Sequence, residues 1–239
     1  MVAKDRIIFA VDVSDEAAAQ QWIKTLENRV GWFKIGLELF TATGPRLVES
    51  VTRAGIRCFL DLKFHDIPNT VAGAVRSATA LGAEMLTVHT SGGREMLKSA
   101  AESASETAEK LGKPRPKIIG VSVLTSLGDS DMLELGFSRS ATEQAARLAE
   151  LAYQSGIDGM VCSPADLELV RSVVPRDFLV ITPGIRPAGS AKGDQTRIAT
   201  PASAIQAGSD LMVIGRPISQ ASDPQAAVAE IVAEIEAVA

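Results

Sequence analysis

Residues 6–39 read RIIFAVDVSDEAAAQQWIKTLENRVGWFKIGLEL and contain one complete structural unit. An apolar run, RIIFAVDV, is followed by an alanine-rich polar stretch and then by a second apolar run, WFKIGLEL. The apolar runs have the length and composition of buried strands, and the stretch between them has a helical pattern. Such a strand–helix–strand unit is typical of a parallel sheet, because parallel strands need a long crossover connection.

Similar apolar runs recur at intervals of roughly 20 to 35 residues along the whole chain. They begin at Arg6, Trp32, Cys58, Met85, Lys117, Gly159, Phe178 and Leu211. Helical patterns separate the runs, and Ser14, Thr142 and Asp223 are expected to cap three of the helices. Eight alternations predict an α/β fold, a (β/α)8 TIM barrel, as a single domain over residues 1–239. No GxGxxG motif follows the first run, which disfavours an open dinucleotide-binding sheet.

The composition excludes several classes of function. The formal net charge is −5, and no basic cluster indicates binding to nucleic acid or to a membrane surface. No run reaches the ~18 apolar residues of a membrane helix, and the N-terminus lacks a signal-peptide pattern, so a cytoplasmic protein is expected. Cys58 and Cys162 lie in apolar runs and are expected to be reduced, buried thiols. A zinc site is disfavoured, because the chain has 2 His and no CxxC motif.

Polar residues cluster at the ends of the apolar runs, where a barrel of this kind places its chemistry. Four of them are cations: Lys34, Lys63, Arg186 and Arg216. The other candidates are Asp12, Asp61, His89, Thr90, Ser122, Thr125, Ser126, Thr182, Gln195 and Gly215. In a chain with a net negative charge, this concentration of cations predicts an anionic ligand at the mouth of the barrel.

The stretch from Phe59 to Thr70, FLDLKFHDIPNT, places charges within an otherwise apolar strand. Asp61 and Lys63 are two residues apart and therefore point to the same side, into the barrel mouth. The alternate positions are apolar and are expected to pack under the helices: Leu60, Leu62 and Phe64. Alone, the charged pair is equally consistent with a structural ion pair. Lys34 and Asp12 on neighbouring strands favour a mutually neutralising array in which a charged lysine donates a proton.

Three further positions have simpler interpretations. Asp66 lies in a turn that leads into the next helix, with Asn69 or Thr70 near its N-cap, and its position alone indicates a solvated or capping carboxylate. His89, within an apolar strand, is expected to be a satisfied core residue, and His65 to be peripheral.

The last two strand ends predict a phosphate site. TPGIRP begins at Thr182 and VIGRPI at Val213, and both motifs pair glycine with arginine. Glycine lets backbone N–H groups approach an anion, and arginine binds it bidentately. Barrels often bind phosphate at the loops after the seventh and eighth strands. Gln195, in the loop after the seventh strand, is a further candidate.

Together these motifs resemble the orotidine 5′-phosphate decarboxylase family. DLKFHDIPNT matches the active-site motif of the family, and AVDVS, FKIG, VLTS, TPGIRP, DQTR and GRPI follow the family order along the whole chain. The resemblance is to the monofunctional bacterial type, since no transferase domain is recognised. It implies decarboxylation of orotidine 5′-monophosphate to UMP, the last step of de novo UMP synthesis, with no metal and no organic cofactor.

The resemblance also implies catalytic roles. Lys63 would donate the proton to C6, and Asp61 would lie beside the departing carboxylate. Lys34 and Asp66 would complete a Lys–Asp–Lys–Asp array. Asp66 would come from the other subunit of a homodimer, with the active site at the interface.

Binding roles follow from the same resemblance. Asp12 and Lys34 would contact the ribose hydroxyls, and Thr70 would contribute from the partner chain. The phosphate would be held by Gln195, Gly215 and Arg216. The residues expected to line the nucleotide site are Ser122, near the pyrimidine, with Thr125, Pro183 and Arg186.

Two alternatives remain open. The 3-keto-gulonate 6-phosphate decarboxylases and hexulose-phosphate synthases share the barrel and a DxKxxD strand but use Mg²⁺. Such a metal site favours a carboxylate at the second-strand end, where this chain has Lys34. A non-catalytic barrel that binds nucleotide phosphates needs only TPGIRP and GRPI. The complete charged array disfavours it, because mutual burial of these charges has a cost that a binding protein need not bear.

Overall fold

The computed structural model describes residues 1–187 and 199–238, and eight parallel strands in these residues form a closed barrel. The strands are β1 (Ile7–Ala10), β2 (Trp32–Gly36), β3 (Cys58–Phe64), β4 (Met85–His89), β5 (Lys117–Val121), β6 (Gly159–Val161), β7 (Leu179–Thr182) and β8 (Leu211–Ile214). Each strand pairs with its sequence neighbour, and β1 pairs with β8 through Ile8 and Val213. The predicted (β/α)8 barrel is therefore confirmed.

Helices surround the barrel and cover its apolar outer face. Those in the described residues are α1 (Glu16–Leu26), α2 (Leu37–Thr43), α3 (Pro45–Arg53), α4 (Pro68–Ala80), α5 (Gly93–Leu111), α6 (Asp129–Glu134), α7 (Ala141–Gln154), α8 (Leu167–Val173), α9 (Pro201–Gln206), α10 (Arg216–Ser219) and α11 (Pro224–Glu236). Within this part of the chain, none of the helices combines the length and apolar composition needed to cross a membrane.

The helix caps agree only partly with the sequence-based expectations. Asp223 caps α11 as predicted and accepts hydrogen bonds from the backbone N–H groups of the first turn. The cap of α1 is Asp15 rather than Ser14, and the cap of α7 is Ser140 rather than Thr142. In both cases a second polar residue next to the helix start competes for the role, and loop geometry decides between them.

The start of α4 also differs from the expectation. This helix begins at Pro68 and has Ile67 at the N-cap position, so Asn69 and Thr70 lie in its first turn. Proline is favoured at the first helical position, because its fixed φ suits the helix and its missing N–H would have no partner there.

Two apolar cores lie on either side of the sheet. Inside the barrel, side chains from seven strands pack together: Ile8, Trp32, Phe59, Met85, Ile119, Ile181 and Leu211. The larger core lies between the strands and the helices and includes Leu60, with Leu62 and Phe64 packed against it. The alternation predicted for β3 is therefore confirmed.

Both cysteines are free and fully buried in the outer core, as expected. Burial raises the pKa of the Cys58 thiol to about 12 and also raises the pKa of Cys162. Neither thiol therefore carries the thiolate that nucleophilic or redox chemistry requires.

Strand β3 contains an irregularity at its C-terminal end. Its register with β4 is Leu60 to Leu86 and then Phe64 to Val88, so three β3 residues lie opposite Thr87 alone. Lys63 adopts a left-handed backbone with φ 51°. Because two extra residues are inserted, the alternation of faces is preserved, and Asp61 and Lys63 both remain on the inner side.

Ion pairs close the N-terminal end of the barrel, which we call the floor. Arg57 pairs with Asp5 at 2.6 Å, and Arg57 also lies 4.7 Å from the centre of the Trp32 ring. Asp158, just before β6, accepts hydrogen bonds from Arg115 and from the backbone N–H of Ile118, each at 2.8 Å.

Asp210, just before β8, repeats this arrangement. Its carboxylate accepts hydrogen bonds from Arg171 and, at 2.8 Å, from the backbone N–H of Val180. Asp158 therefore connects the start of β6 to β5, and Asp210 connects the start of β8 to β7.

Candidate active site

The opposite end of the barrel opens into a cavity lined by residues from strand ends. Most of the side chains predicted for the site line it: Asp12, Lys34, Asp61, Lys63, Thr125, Pro183, Arg186, Gly215 and Arg216. Their convergence follows from the parallel barrel, because all eight strands end at the same face and inward positions alternate along each strand.

A chain of alternating charges crosses this cavity. Lys34 Nζ lies 3.1 Å from Asp12 Oδ1 and 3.7 Å from Asp61 Oδ2. Lys63 Nζ donates to both carboxylate oxygens of Asp61 at 2.9 Å. The side chains of Lys34 and Asp61 are only 12% and 13% exposed, so this electrostatic coupling is weakly screened by solvent.

The wall beside the charges is apolar. It is formed by Ala10, Phe59, Val121, Val123, Leu124, Val161 and Val213. A flat aromatic group fits such a wall, whereas the charges and Arg186 and Arg216 provide for anionic groups on the same ligand.

Three predicted site residues lie elsewhere or have other partners in this chain. Asp66 is exposed on the turn after β3, and its Oδ1 accepts a hydrogen bond from the backbone N–H of Ile67 at 2.6 Å. Thr70 is exposed in the first turn of α4. Ser122 is buried beside the cavity, and its hydroxyl donates to the carbonyl of Val161 at 2.8 Å. Gln195 lies outside the described residues.

The two histidines lie together beside the array. The ring centroids of His65 and His89 are 5.1 Å apart, with His65 exposed and His89 half-buried. Burial lowers the pKa of His89, and the neighbouring His65 and Lys63 lower it further. His89 is therefore favoured in its neutral form.

Two features of the site were not identified from the sequence. Gly36 follows Lys34 by two residues on β2, and a Cβ at this glycine would lie 2.9 Å from Lys34 Nζ. The second is Thr87, a fully buried β4 residue whose hydroxyl lies 3.0 Å from Asp61 Oδ1. A signal for Thr87 was available, because it is the polar residue at an inward position between Met85 and His89.

The charged residues of the mouth that the structure describes do not form a metal site. Within the described ranges, no group of three or more His, Cys, Asp or Glu side chains is arranged to hold a metal ion. At the end of β2, where a carboxylate would suit Mg²⁺, the ammonium of Lys34 is already paired with Asp12 and Asp61.

Comparison with known proteins identifies the family. Residues 5–231 match the model of the Orotidine 5′-phosphate decarboxylase / HUMPS family. The chain belongs to this family. The resemblance inferred from the motifs is therefore confirmed, and it extends over nearly the whole barrel.

Individual relatives in this family are similar over their full lengths. The chain is 51% identical over 240 residues to the orotidine 5′-phosphate decarboxylase of Moorella thermoacetica, covering 100% of this chain and 95% of that protein. It is 46% identical to the enzyme of the same name from Paramagnetospirillum magneticum, covering 96% and 97% of the two chains.

A solved structure from the same family has the same fold. The crystal structure of orotidine 5′-phosphate decarboxylase from Lactobacillus acidophilus superposes with a TM-score of 0.85 at 38% identity, and the match covers 96% of this chain and 98% of that one.

Proposed function

We propose that this chain, as a single cytoplasmic barrel domain over residues 1–239, decarboxylates orotidine 5′-monophosphate to UMP without a metal or an organic cofactor. The observation that carries the proposal is the Asp12–Lys34–Asp61–Lys63 chain of charges in the mouth of the barrel. Family membership supports it, since relatives of similar length are named for this reaction.

The proposed chemistry centres on Lys63. The bond between C6 and the carboxylate breaks, CO₂ leaves, and the electron pair remains on C6 of the pyrimidine. An ammonium has three N–H donors, and Asp61 takes two of those on Lys63. The remaining donor is available to stabilise the developing negative charge and then to transfer its proton to C6. After product release, the neutral amine regains a proton from solvent.

Asp61 and Lys34 support this step in the proposal. Asp61 is placed beside the substrate carboxylate, where like charges disfavour the bound ground state and decarboxylation removes the repulsion. Lys34 lies between Asp12, whose side chain is 63% exposed, and the mostly buried Asp61, and thereby keeps the two carboxylates close together. Lys34 and Asp12 are also suited to hydrogen bonds with the ribose hydroxyls, as donor and acceptor respectively.

The phosphate and base are assigned to the remaining residues of the predicted site. Gly215 and Arg216 follow β8 and Arg186 follows β7, so two guanidinium groups converge on one side of the cavity. Gln195 completes the proposed phosphate site. The residues proposed to line the base are Ser122, Thr125 and Pro183. Binding energy from the phosphate, remote from C6, would be used to order the site.

A homodimer with the active site at its interface is the second part of the proposal. Asp66 lies on the turn after β3, and within the described residues no cation lies within 4.0 Å of its carboxylate. The adjacent Ile67 is 67% exposed and Leu37, the first residue of α2, is 55% exposed. A second copy placed against this apolar rim would receive Asp66 and Thr70 next to its own Lys63.

An absorbance assay tests the reaction. When orotidine 5′-monophosphate is added to the purified protein, its ultraviolet absorbance spectrum should change to that of UMP. The rate of this change should be the same with and without excess EDTA. Activity that disappears in EDTA and returns with Mg²⁺ would instead support the metal-dependent alternative. An unchanged spectrum at micromolar enzyme, with UMP binding intact, would support a non-catalytic barrel.

A mixing experiment tests the shared site. Lys63→Ala and Asp66→Asn should each be inactive alone, because each alters every site of its own homodimer. After subunit exchange at equal concentrations, half of the dimers are mixed and each has one intact site, so about a quarter of the wild-type activity should return. Confirmed exchange without recovery would contradict a site made from two chains.

A further inference from the structure

The hydroxyl of Thr87 joins the two residues at the centre of the charged array. It accepts a hydrogen bond from the backbone N–H of Lys63 at 2.8 Å and donates one to Asp61 Oδ1 at 3.0 Å. Because a hydroxyl has a single proton, its direction is determined: the Lys63 N–H approaches a lone pair, and the proton must point to Asp61.

The irregularity in β3 explains why this hydroxyl is needed. Asp61, Leu62 and Lys63 lie opposite Thr87 alone, so the regular ladder between β3 and β4 is interrupted at Lys63. The backbone N–H of Lys63 is bonded instead to the Thr87 side chain. The left-handed φ of 51° at Lys63 is a conformation that a lysine rarely adopts without such support.

Because Thr87 is buried, its two hydrogen bonds to Lys63 and Asp61 are difficult to replace. Thr87 is 0% exposed and is not among the residues that line the cavity, so we expect it to affect the substrate only through its neighbours. In the absence of the hydroxyl, the N–H of Lys63 and one oxygen of Asp61 would each lose a partner in a poorly solvated region. Because Thr87 is fully buried, we expect that water could replace its hydroxyl only after a change in packing.

We propose that Thr87 is a positioning residue. Through its hydrogen bonds to the irregular part of β3, it fixes the position of the Lys63 ammonium relative to the Asp61 carboxylate. This inference rests on the proposed decarboxylase function. Thr87 acts through the two residues that it holds and not through the substrate. The link therefore affects the rate of the chemical step more than the binding of the nucleotide.

Thr87→Val and Thr87→Ser separate the hydroxyl from the shape of the side chain. Thr87→Val should lower kcat by about 10²-fold and change KM and UMP affinity by less than about threefold, since displacements near 1 Å have effects of this size. Thr87→Ser keeps the hydroxyl and should retain kcat within about threefold of wild type. If Thr87→Val does not fold, Thr87→Ala removes the same hydroxyl without adding bulk.

Thr79→Val is the matched control. Thr79 lies in α4, is 2% exposed, and has a hydroxyl with no hydrogen-bond partner among the described residues. Its replacement should leave kcat and KM unchanged. A Thr87→Val enzyme with wild-type kcat, or a Thr87→Ser enzyme as slow as the valine variant, would overturn the inference.

A crystal structure of Thr87→Val separates this inference from the proposed function. It should show Lys63 Nζ displaced from the 2.9 Å contact with Asp61. An undisturbed contact would overturn the positioning role even if the reaction were a different one. Wild-type protein that does not convert orotidine 5′-monophosphate would contradict the proposed function alone.

Discussion

The mouth and the floor of the barrel both contain pairs of carboxylates and cations, but the cations are lysines at the mouth and arginines at the floor. At the floor, Asp158 and Asp210 each bind one arginine and one backbone N–H of the preceding strand. At the mouth, Asp61 is shared between Lys63, at 2.9 Å, and Lys34, at 3.7 Å.

In the proposed mechanism, this difference separates a structural role at the floor from a chemical role at the mouth. A planar guanidinium with a fixed fork matches a carboxylate and holds strands in place, whereas an ammonium on a flexible stem keeps a donor for a ligand and transfers its proton more easily. Charged pairs that close the floor should therefore affect stability, and those at the mouth should affect turnover.

Replacement of Lys63 should give the largest effect and the clearest test of this division. Lys63→Ala should lower turnover of orotidine 5′-monophosphate by at least about 10³-fold, because the proposed mechanism loses both its proton donor and the charge near C6. Its free energy of unfolding should change by no more than about 1 kcal/mol, since partly exposed ion pairs contribute little. Absorbance assays and urea titrations measure the two quantities.

Lys63→Arg is the matched control for this prediction. Arginine keeps the positive charge beside Asp61 but does not release its proton at neutral pH. It should therefore be nearly as inactive as alanine, and substantial turnover by either variant would contradict the proton-donor role.

Replacement of Asp210 should give the opposite result. Asp210→Ala removes the partner of Arg171, whose side chain is only 8% exposed, and of the Val180 N–H. The free energy of unfolding should fall by about 1–3 kcal/mol, while kcat stays within about twofold of wild type. Asp177→Ala, at an exposed carboxylate on the same end, should change neither. A large loss of kcat without loss of stability in Asp210→Ala would contradict the assignment of a structural role to the floor.

The smallest expected effect is a decrease in stability at acidic pH caused by His89, which lies beside the mouth. The pKa of His89 is lowered in the folded state, chiefly by burial, so the unfolded chain binds a proton first as the pH falls below 6.5. Stability should therefore decrease as the pH falls through this range and should be unaffected by His89 above it. Urea titrations of wild type and His89→Asn between pH 5 and 8 measure how the free energy of unfolding depends on pH. The slopes of the two proteins should differ below pH 6.5 and should be equal near pH 8.

His65→Asn provides the control for the pH experiment. It removes one of the groups that lower the pKa of His89 and should therefore reduce the acid sensitivity by less than His89→Asn does. An equal acid sensitivity in wild type and His89→Asn would show that the burial of His89 has no such consequence.

The sequence predicted the barrel and the inward direction of its charged residues because both depend on periodicity. Apolar runs and helical patterns indicated the eight strands, and alternation along β3 placed Asp61 and Lys63 on the inner face. Local choices were less predictable: Ser14 and Thr142 have equally suitable neighbours, and the helix start depends on the loop before it.

The irregularity at Lys63 lay beyond the sequence because its cause is non-local. Nothing in DLKF signals a left-handed residue, since the conformation depends on pairing with β4 and on the hydroxyl of Thr87. The inward direction of Thr87 could be predicted from alternation along β4, but its two hydrogen bonds to β3 could not. The meeting of its hydroxyl with Asp61 became visible only when the two strands were placed side by side.

The left-handed backbone at Lys63 has an evolutionary consequence. Most residues with a Cβ bear a cost of about 1–2 kcal/mol in this conformation; glycine avoids it, and asparagine offsets part of it by local hydrogen bonds. Selection for folding alone would therefore favour glycine or asparagine at this position. A descendant that lost the need for catalysis should drift toward those residues, so the identity of residue 63 would record whether a lineage has kept the reaction.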